Sequence, residues 1–80
     1  MKRTIQELKE YLLSLVNDVE FTWKGMHGLI IPFSRQKYIL SFHDPDDTGT
    51  EFNNIDALLN APYLDGQSIT DVCEEIFFIT

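Results

Sequence analysis

Positive charge is missing from the second half of this chain. All six lysines and arginines lie within the first 37 residues, whereas nine carboxylates and no lysine or arginine occur from Tyr38 to Thr80. The formal net charge at pH 7 is −7. Because nucleic acids and anionic lipids repel a protein of this sign, we expect neither nucleic acid nor a membrane as a direct partner.

Cysteine and long apolar runs are also scarce. The single cysteine, Cys73, excludes an internal disulfide, and nothing points to an oxidising compartment. No apolar run approaches the ~20 residues that span a bilayer, and the charged stretch MKRTIQELKEY does not resemble a signal peptide. We therefore expect a cytoplasmic protein.

The residues that are present suffice for one folded domain. The chain has 80 residues, of which 44% are hydrophobic and 12% aromatic. A chain of this length buries roughly 60–65% of its unfolded surface. We therefore expect a thin core and a single domain over residues 1–80.

The first predicted element is an amphipathic helix over residues 4–16. The segment TIQE at residues 4–7 matches a capping box, in which Thr4 and Glu7 satisfy each other's backbone N–H groups. Apolar residues then recur on one helical face: Ile5, Leu8, Leu12, Leu15 and Val16.

Three strands are predicted next. Residues 19–24 alternate between apolar and polar side chains, residues 29–33 are apolar on both faces, and residues 37–43 alternate again. A turn is predicted at residues 25–28, and Pro32 is expected at a bulge or near a strand end because it cannot donate to a ladder. The short connections favour an antiparallel meander with residues 29–33 in the middle.

Two short helices follow an acidic loop. Asn53 or Asn54 is expected to cap the first helix. Ser68 is expected to cap the second, because Asp71 lies three residues later.

The predicted fold is an α+β two-layer sandwich of order α-β-β-β-α-α. A three-stranded antiparallel meander forms one layer, and the helices cover one of its faces. The apolar tail at residues 77–79 is expected to dock on the core, either as a helical turn or as an extended segment.

Three features of the sequence could indicate a metal site or a catalytic residue. Asp44 and Asp46 match the first positions of a calcium loop, but Ile55 stands where a bidentate glutamate is needed. His43 is the one nitrogen ligand beside them. Cys73 lies on an apolar stripe, where cysteines pack rather than react. We predict no metal site, cofactor or catalytic residue, and a non-enzymatic protein. A divalent-cation-binding or catalytic domain is the remaining alternative.

Carboxylates form the first candidate interaction surface. They lie in the loop and on the outer face of the last helix: Asp44, Asp46, Asp47, Glu51, Asp71, Glu74 and Glu75. Complementary charge speeds encounter, so we predict a protein partner with a basic surface. One alternative is an inhibitor that mimics nucleic acid, with carboxylates in place of phosphates. Another is a solvated face that only maintains solubility.

The uncovered side of the sheet is the second candidate surface. With helices on one face only, we expect Ile30 and Ile39 to be exposed on the other as a small patch for a partner. The third strand, if it is an edge, also offers unpaired backbone groups. A homodimer through the open face or the edge strand is therefore a further alternative.

The second half resembles a pattern in small uncharacterised acidic proteins of Gram-positive bacteria and their phages. The matching stretch is IDALLNAPYLDGQSI at residues 55–69, followed by Asp71, Glu74, Glu75 and Ile76. The resemblance spans residues 37–76 and implies a short leucine helix, a helix cap and a final acidic helix, without an activity. The element order and acidity are also similar to those of small anti-CRISPR inhibitors that occupy the DNA-contacting groove of their nuclease target.

Overall fold

The fold is one antiparallel sheet with helices packed on one of its faces. The computed structural model describes residues 2–15, 17–42 and 49–79. Its elements are α1 (Ile5–Leu13), β1 (Val19–Trp23), β2 (Met26–Ser34), β3 (Lys37–Phe42), β4 (Thr50–Phe52), α2 (Ile55–Asn60), α3 (Ile69–Val72), a 3₁₀ turn (Cys73–Glu75) and β5 (Phe77–Phe78). This confirms the α+β class and the predicted succession of a helix, a meander and two helices.

The first hairpin turns more tightly than predicted. Trp23 pairs with Met26, so the connection is only Lys24-Gly25. Both turn residues have positive φ, 51° and 77°, which is the backbone of a type I′ turn and matches the twist of the flanking strands. The predicted turn at residues 25–28 was therefore wrong, because β2 already begins at Met26.

The central strand has the predicted properties. The strand order is β4-β3-β2-β1-β5, which places β2 in the middle of five strands. The register between β2 and β3 shifts between Pro32 and Ser34, so the proline lies at an irregularity, as expected.

Two additional strands extend the predicted three-stranded meander. β4 pairs with β3 through Tyr38 and Phe52, so the third strand is not an edge and does not offer a free row of backbone groups. β5 pairs with β1 through Phe21 and Phe78, and the C-terminal segment is therefore extended rather than helical. The edges of the sheet are two very short strands.

Side-chain caps begin all three helices at the predicted places. Thr4 and Glu7 form both hydrogen bonds of the capping box of α1. Asn54, rather than Asn53, caps α2 through the N–H of Ala57. The capping box at Ser68 starts α3, which lasts four residues before it tightens into the 3₁₀ turn. No helix within the described residues is both long and apolar enough to cross a membrane.

Strand pairing decides which apolar residues enter the core. Ile30 lies opposite Val19 on β1 and opposite Leu40 on β3, and all three are fully buried under the helices. Paired residues in neighbouring strands point to the same face. The expectation that Ile30 is exposed on the open face was therefore wrong. The neighbours of Ile30, Leu29 and Ile31, point away from the helices instead.

Candidate functional site

The sheet face without helices carries an apolar centre. We call it the open face, and by strand alternation its residues are Glu20, Thr22, His27, Leu29, Ile31, Ile39, Ser41, Glu51 and Phe77. Ile31 pairs directly with Ile39, and both side chains are half-buried, as is Leu29. Ile39 lies on the expected face, although its side chain is half-buried rather than exposed.

Large exposed hydrophobic side chains extend this centre. Three such side chains occur in the described chain: Phe33 (58% exposed), Phe77 (54%) and Ile79 (48%). Phe77 pairs with Thr22, and the N–H of Ile79 donates to the Glu20 carbonyl at 2.8 Å, so alternation places both at the β5 side of the open face.

Phe33 adds to the same face at its other end. Its position follows from Lys37, which lies two residues before Ile39 on β3 and therefore on the open face. The ammonium of Lys37 lies 5.2 Å from the centre of the Phe33 ring, a cation–π contact that shields one side of the ring.

Two carboxylates flank the apolar centre. On β1, Glu20 lies next to Leu29, and its Oε2 is 3.1 Å from His27 Nε2. On β4, the exposed Glu51 pairs with Ile39. The open face therefore has apolar side chains at its centre on β2 and β3, one carboxylate on each neighbouring strand, and a histidine that contacts Glu20.

The predicted acidic residues do not form one group. Asp44, Asp46 and Asp47 lie outside the described residues. Glu51 belongs to the open face, whereas Asp71, Glu74 and Glu75 are exposed on the helical side of the sheet. The prediction of one acidic surface is therefore wrong for the described residues, because strand β4 carries Glu51 to the opposite side of the sheet.

The helix α3 and the following 3₁₀ turn lie beside Lys2 and Arg3, which precede α1. A cleft of about 700 Å³ is lined by Lys2 and Arg3 together with Asp71, Glu74 and Glu75. Lys2 Nζ donates to the Glu74 carbonyl at 2.7 Å. Basic and acidic residues that are far apart in the sequence are therefore close together in the fold, and the cleft carries charges of both signs.

The N-terminal segment is held there by two further contacts. The Cys73 thiol donates to the Arg3 carbonyl at 3.2 Å. The Arg3 guanidinium lies 4.5 Å from the centre of the Tyr11 ring. These contacts explain the mixed composition of the cleft, since they fix the chain that carries Lys2 and Arg3 against α3.

Cys73 has the environment of a packed thiol. Its side chain is 5% exposed within the core cluster. Burial, with the charge of Glu74 as a smaller contribution, raises its pKa above the ordinary 9.0 of a thiol. A neutral thiol is a poor nucleophile and a poor metal ligand. Within residues 2–15, 17–42 and 49–79, no three His, Cys, Asp or Glu side chains are arranged to hold a metal ion.

Comparison with known proteins identifies no relative. No family model, no curated protein and no solved structure matches this chain. The resemblance of residues 37–76 to small acidic bacterial and phage proteins therefore stays an expectation, and the function has to be inferred from the surfaces described above.

Proposed function

We propose that this chain is a small, non-catalytic protein-binding module that contacts its partner through the open face of the sheet. One observation carries the proposal: the three large exposed hydrophobic side chains, Phe33, Phe77 and Ile79, extend the half-buried apolar centre of that face. Single exposed hydrophobic residues are ordinary, but a contiguous apolar patch with a polar rim is typical of an interaction site.

The architecture supports this proposal. An apolar sheet face is normally covered by a second layer, but no helix or strand of the described residues packs over Leu29, Ile31 and Ile39. We place the module in the cytoplasm, because its one cysteine is a reduced thiol hydrogen-bonded to a backbone carbonyl.

Nucleic-acid mimicry has weaker support as a second candidate. The net charge of −7 favours it. However, the carboxylates of α3 and the 3₁₀ turn share their cleft with Lys2 and Arg3, which lowers the negative potential that a basic groove would recognise.

Partner capture with matched variants tests the proposal. The double variant Ile31→Thr/Ile39→Thr keeps β-branched side chains in the strands but removes apolar surface. We expect it to reduce retention of any specifically captured protein about 10-fold, since apolar centres dominate such interfaces. Ile5→Thr makes the same chemical change on the helical layer and serves as the control.

The outcomes separate the candidates. Loss of capture in the open-face variant alone, with a native circular dichroism spectrum, supports the open face. Equal capture by the wild type and the open-face variant contradicts it. Capture that competes with duplex DNA and disappears in Asp71→Asn/Glu74→Gln/Glu75→Gln would instead favour mimicry.

A further inference from the structure

The charges and the extent of the open face indicate which partner it binds. We propose that the open face binds the open face of a second copy of this chain, so that two sheets pack against each other in a symmetric dimer. This inference rests on the protein-binding function proposed above and specifies its partner. Three observations carry it: the balance of charge on the face, the positions of Lys37 and Glu51, and the extent of the apolar surface.

The strand residues of the open face are nearly balanced in charge. Two carboxylates, one lysine and one histidine are the ionisable residues, and their formal sum is −1 with histidine neutral, compared with −7 for the whole chain. These residues are Glu20, His27, Lys37 and Glu51. Glu20 already contacts His27 at 3.1 Å and is not required to bind the partner. A second copy therefore meets little repulsion at this face, although the chain as a whole is acidic.

The carboxylates of the helical layer are too distant to oppose this contact. Asp56 belongs to α2, and Asp71, Glu74 and Glu75 belong to α3 and the 3₁₀ turn. Packed layers are about 10 Å apart, which exceeds the Debye length of about 8 Å at physiological ionic strength. Salt therefore screens these charges from a copy that is bound on the open face.

Lys37 and Glu51 are placed to form reciprocal ion pairs across a two-fold axis. Glu51 pairs with Ile39 across β4 and β3, and Lys37 lies two residues before Ile39. The two charged residues are therefore diagonal neighbours about 7–8 Å apart. They form no ion pair with each other within the described part of the chain, and Lys37 lies over the Phe33 ring instead.

Two-fold symmetry converts this arrangement into two contacts between copies. When the axis runs between Lys37 and Glu51, in the plane that separates the two sheets, Lys37 of each copy faces Glu51 of the other copy. With the usual strand spacing, that axis also passes beside Ile39 and its partner Ile31. The apolar centres of the two copies therefore lie against each other, and the ion pairs fix their relative orientation.

The apolar surface is wide enough for a second sheet. It extends from Phe77 and Ile79 on the β5 side to Phe33 at the far end of β2. A standard interface buries about 800 Å² on each partner, which is about a sixth of the 4668 Å² of accessible surface here. Each broad side of a two-layer molecule contains more than a sixth of its surface, so the open face supplies the area that a stable dimer needs.

Charge reversal across the axis provides the test. Lys37→Glu and Glu51→Lys each place like charges opposite one another twice in the dimer, whereas an equimolar mixture restores both pairs between unlike copies. In sedimentation equilibrium we expect the wild type to pass from 9.3 kDa towards twice that mass with increasing concentration. Each variant alone should raise the dissociation constant about 10-fold, and the mixture should return it to within about 3-fold of wild type.

Charge-matched controls exclude a general effect of net charge. Lys9→Glu and Glu75→Lys change the net charge by the same amounts on the helical side, and each should alter the dissociation constant less than about 2-fold. Lys37 and Glu51 are both exposed, so their variants are expected to keep the native circular dichroism spectrum. Ile31→Thr/Ile39→Thr removes the apolar centre and should raise the dissociation constant at least about 10-fold.

The outcomes separate this inference from the proposed function. A wild type that remains at 9.3 kDa up to millimolar concentration overturns the inference, as does a dimer that the mixture of charge variants fails to restore. If the protein is monomeric but capture of another protein depends on Ile31 and Ile39, the protein-binding function stands and only the second copy is excluded. If the protein is monomeric and Ile31→Thr/Ile39→Thr does not alter capture, the protein-binding function fails as well.

Discussion

The ring of Phe21 on β1 covers Gly28, its direct partner on β2. A Cβ atom added to Gly28 would lie 2.6 and 2.7 Å from the two Cε atoms of that ring. The ring cannot move aside easily, because it stacks on Phe42 at a centroid distance of 6.1 Å and also contacts Phe78 at 6.3 Å. The missing side chain at Gly28 therefore leaves room for a row of aromatic rings that crosses the sheet from Phe78 on β5 to Phe42 on β3.

Gly28→Ala is expected to destabilise the protein by about 1–3 kcal/mol, the usual effect of overpacking a core. Urea denaturation followed by tryptophan fluorescence measures the change. In a Phe21→Ala background, Gly28→Ala should lower the free energy of unfolding much less, because the colliding ring is absent. Equal costs in the two backgrounds would show that the contact between the two residues does not explain the glycine.

The hydroxyl group of Tyr38 is unusual in its surroundings. The side chain is fully buried, and its hydroxyl oxygen has no hydrogen-bond partner within the described part of the chain. Tyr38→Phe removes an unsatisfied polar group, so we expect the free energy of unfolding to stay the same or rise by up to about 1 kcal/mol. A loss of more than about 1 kcal/mol in thermal or urea unfolding would indicate a partner such as a buried water.

Glu7 links the stability of α1 to pH. The Glu7 carboxylate accepts a hydrogen bond from the backbone N–H of Thr4, and this bond is the main reason why the pKa of Glu7 is below the ordinary 4.5. The side chain of Thr4 lowers the pKa further. The resulting stabilisation is therefore complete above the pKa of the unfolded chain and is lost as pH falls through the lower pKa of the folded state. We expect wild type and Glu7→Gln to converge in stability as pH is lowered below about 4.5.

Two further variants check this interpretation. Glu10→Gln removes the same charge from the same helix without affecting the cap, and a pH profile identical to that of Glu7→Gln would contradict a role of the capping box. Thr4→Ala removes the hydroxyl that accepts from the Glu7 N–H at 3.1 Å. It should cost about 1 kcal/mol at neutral pH, as loss of an N-cap usually does.

Cys73 should be chemically protected in the folded protein. Burial and the nearby Glu74 raise its pKa, so the native state holds less thiolate than the unfolded chain at the same pH. We expect iodoacetamide at pH 8 to alkylate the native thiol at least about 10-fold more slowly than the thiol in urea. Glu74→Gln should raise the native rate only slightly, since burial is the larger cause. Equal rates in both states would contradict the packed position.

Local signals correctly predicted where the helices begin and that three strands follow the first helix. The capping boxes at Thr4 and Ser68 depend on residues three positions apart, and the alternation along β1 depends on neighbours in the chain. These interactions form within a few residues, so they can be recognised without knowledge of the fold. The bulge at Pro32 was predictable for the same reason, because proline lacks the N–H that a ladder needs.

The additional strands could not be recognised in this way. β4 has three residues and β5 has two, too few for a periodic pattern. Each is a strand because a neighbouring strand supplies its hydrogen bonds. The orientation of Ile30 could not be predicted from neighbouring residues either, because its strand is apolar on both faces. Only the pairing of Ile30 with Val19 and Leu40 decides that it faces the helices.

The sequence by itself determined the α+β class, the helix caps, the order of the first elements and the net charge, because these follow from composition and from contacts a few residues apart. Only the tertiary structure decided where the charges and the apolar surface lie. It brought Lys2 and Arg3 against the carboxylates of α3 and the 3₁₀ turn, and it placed Glu20 and Glu51 on either side of an apolar stripe. Such neighbours are set by strand order and chain packing, which bring together residues that are far apart in the sequence.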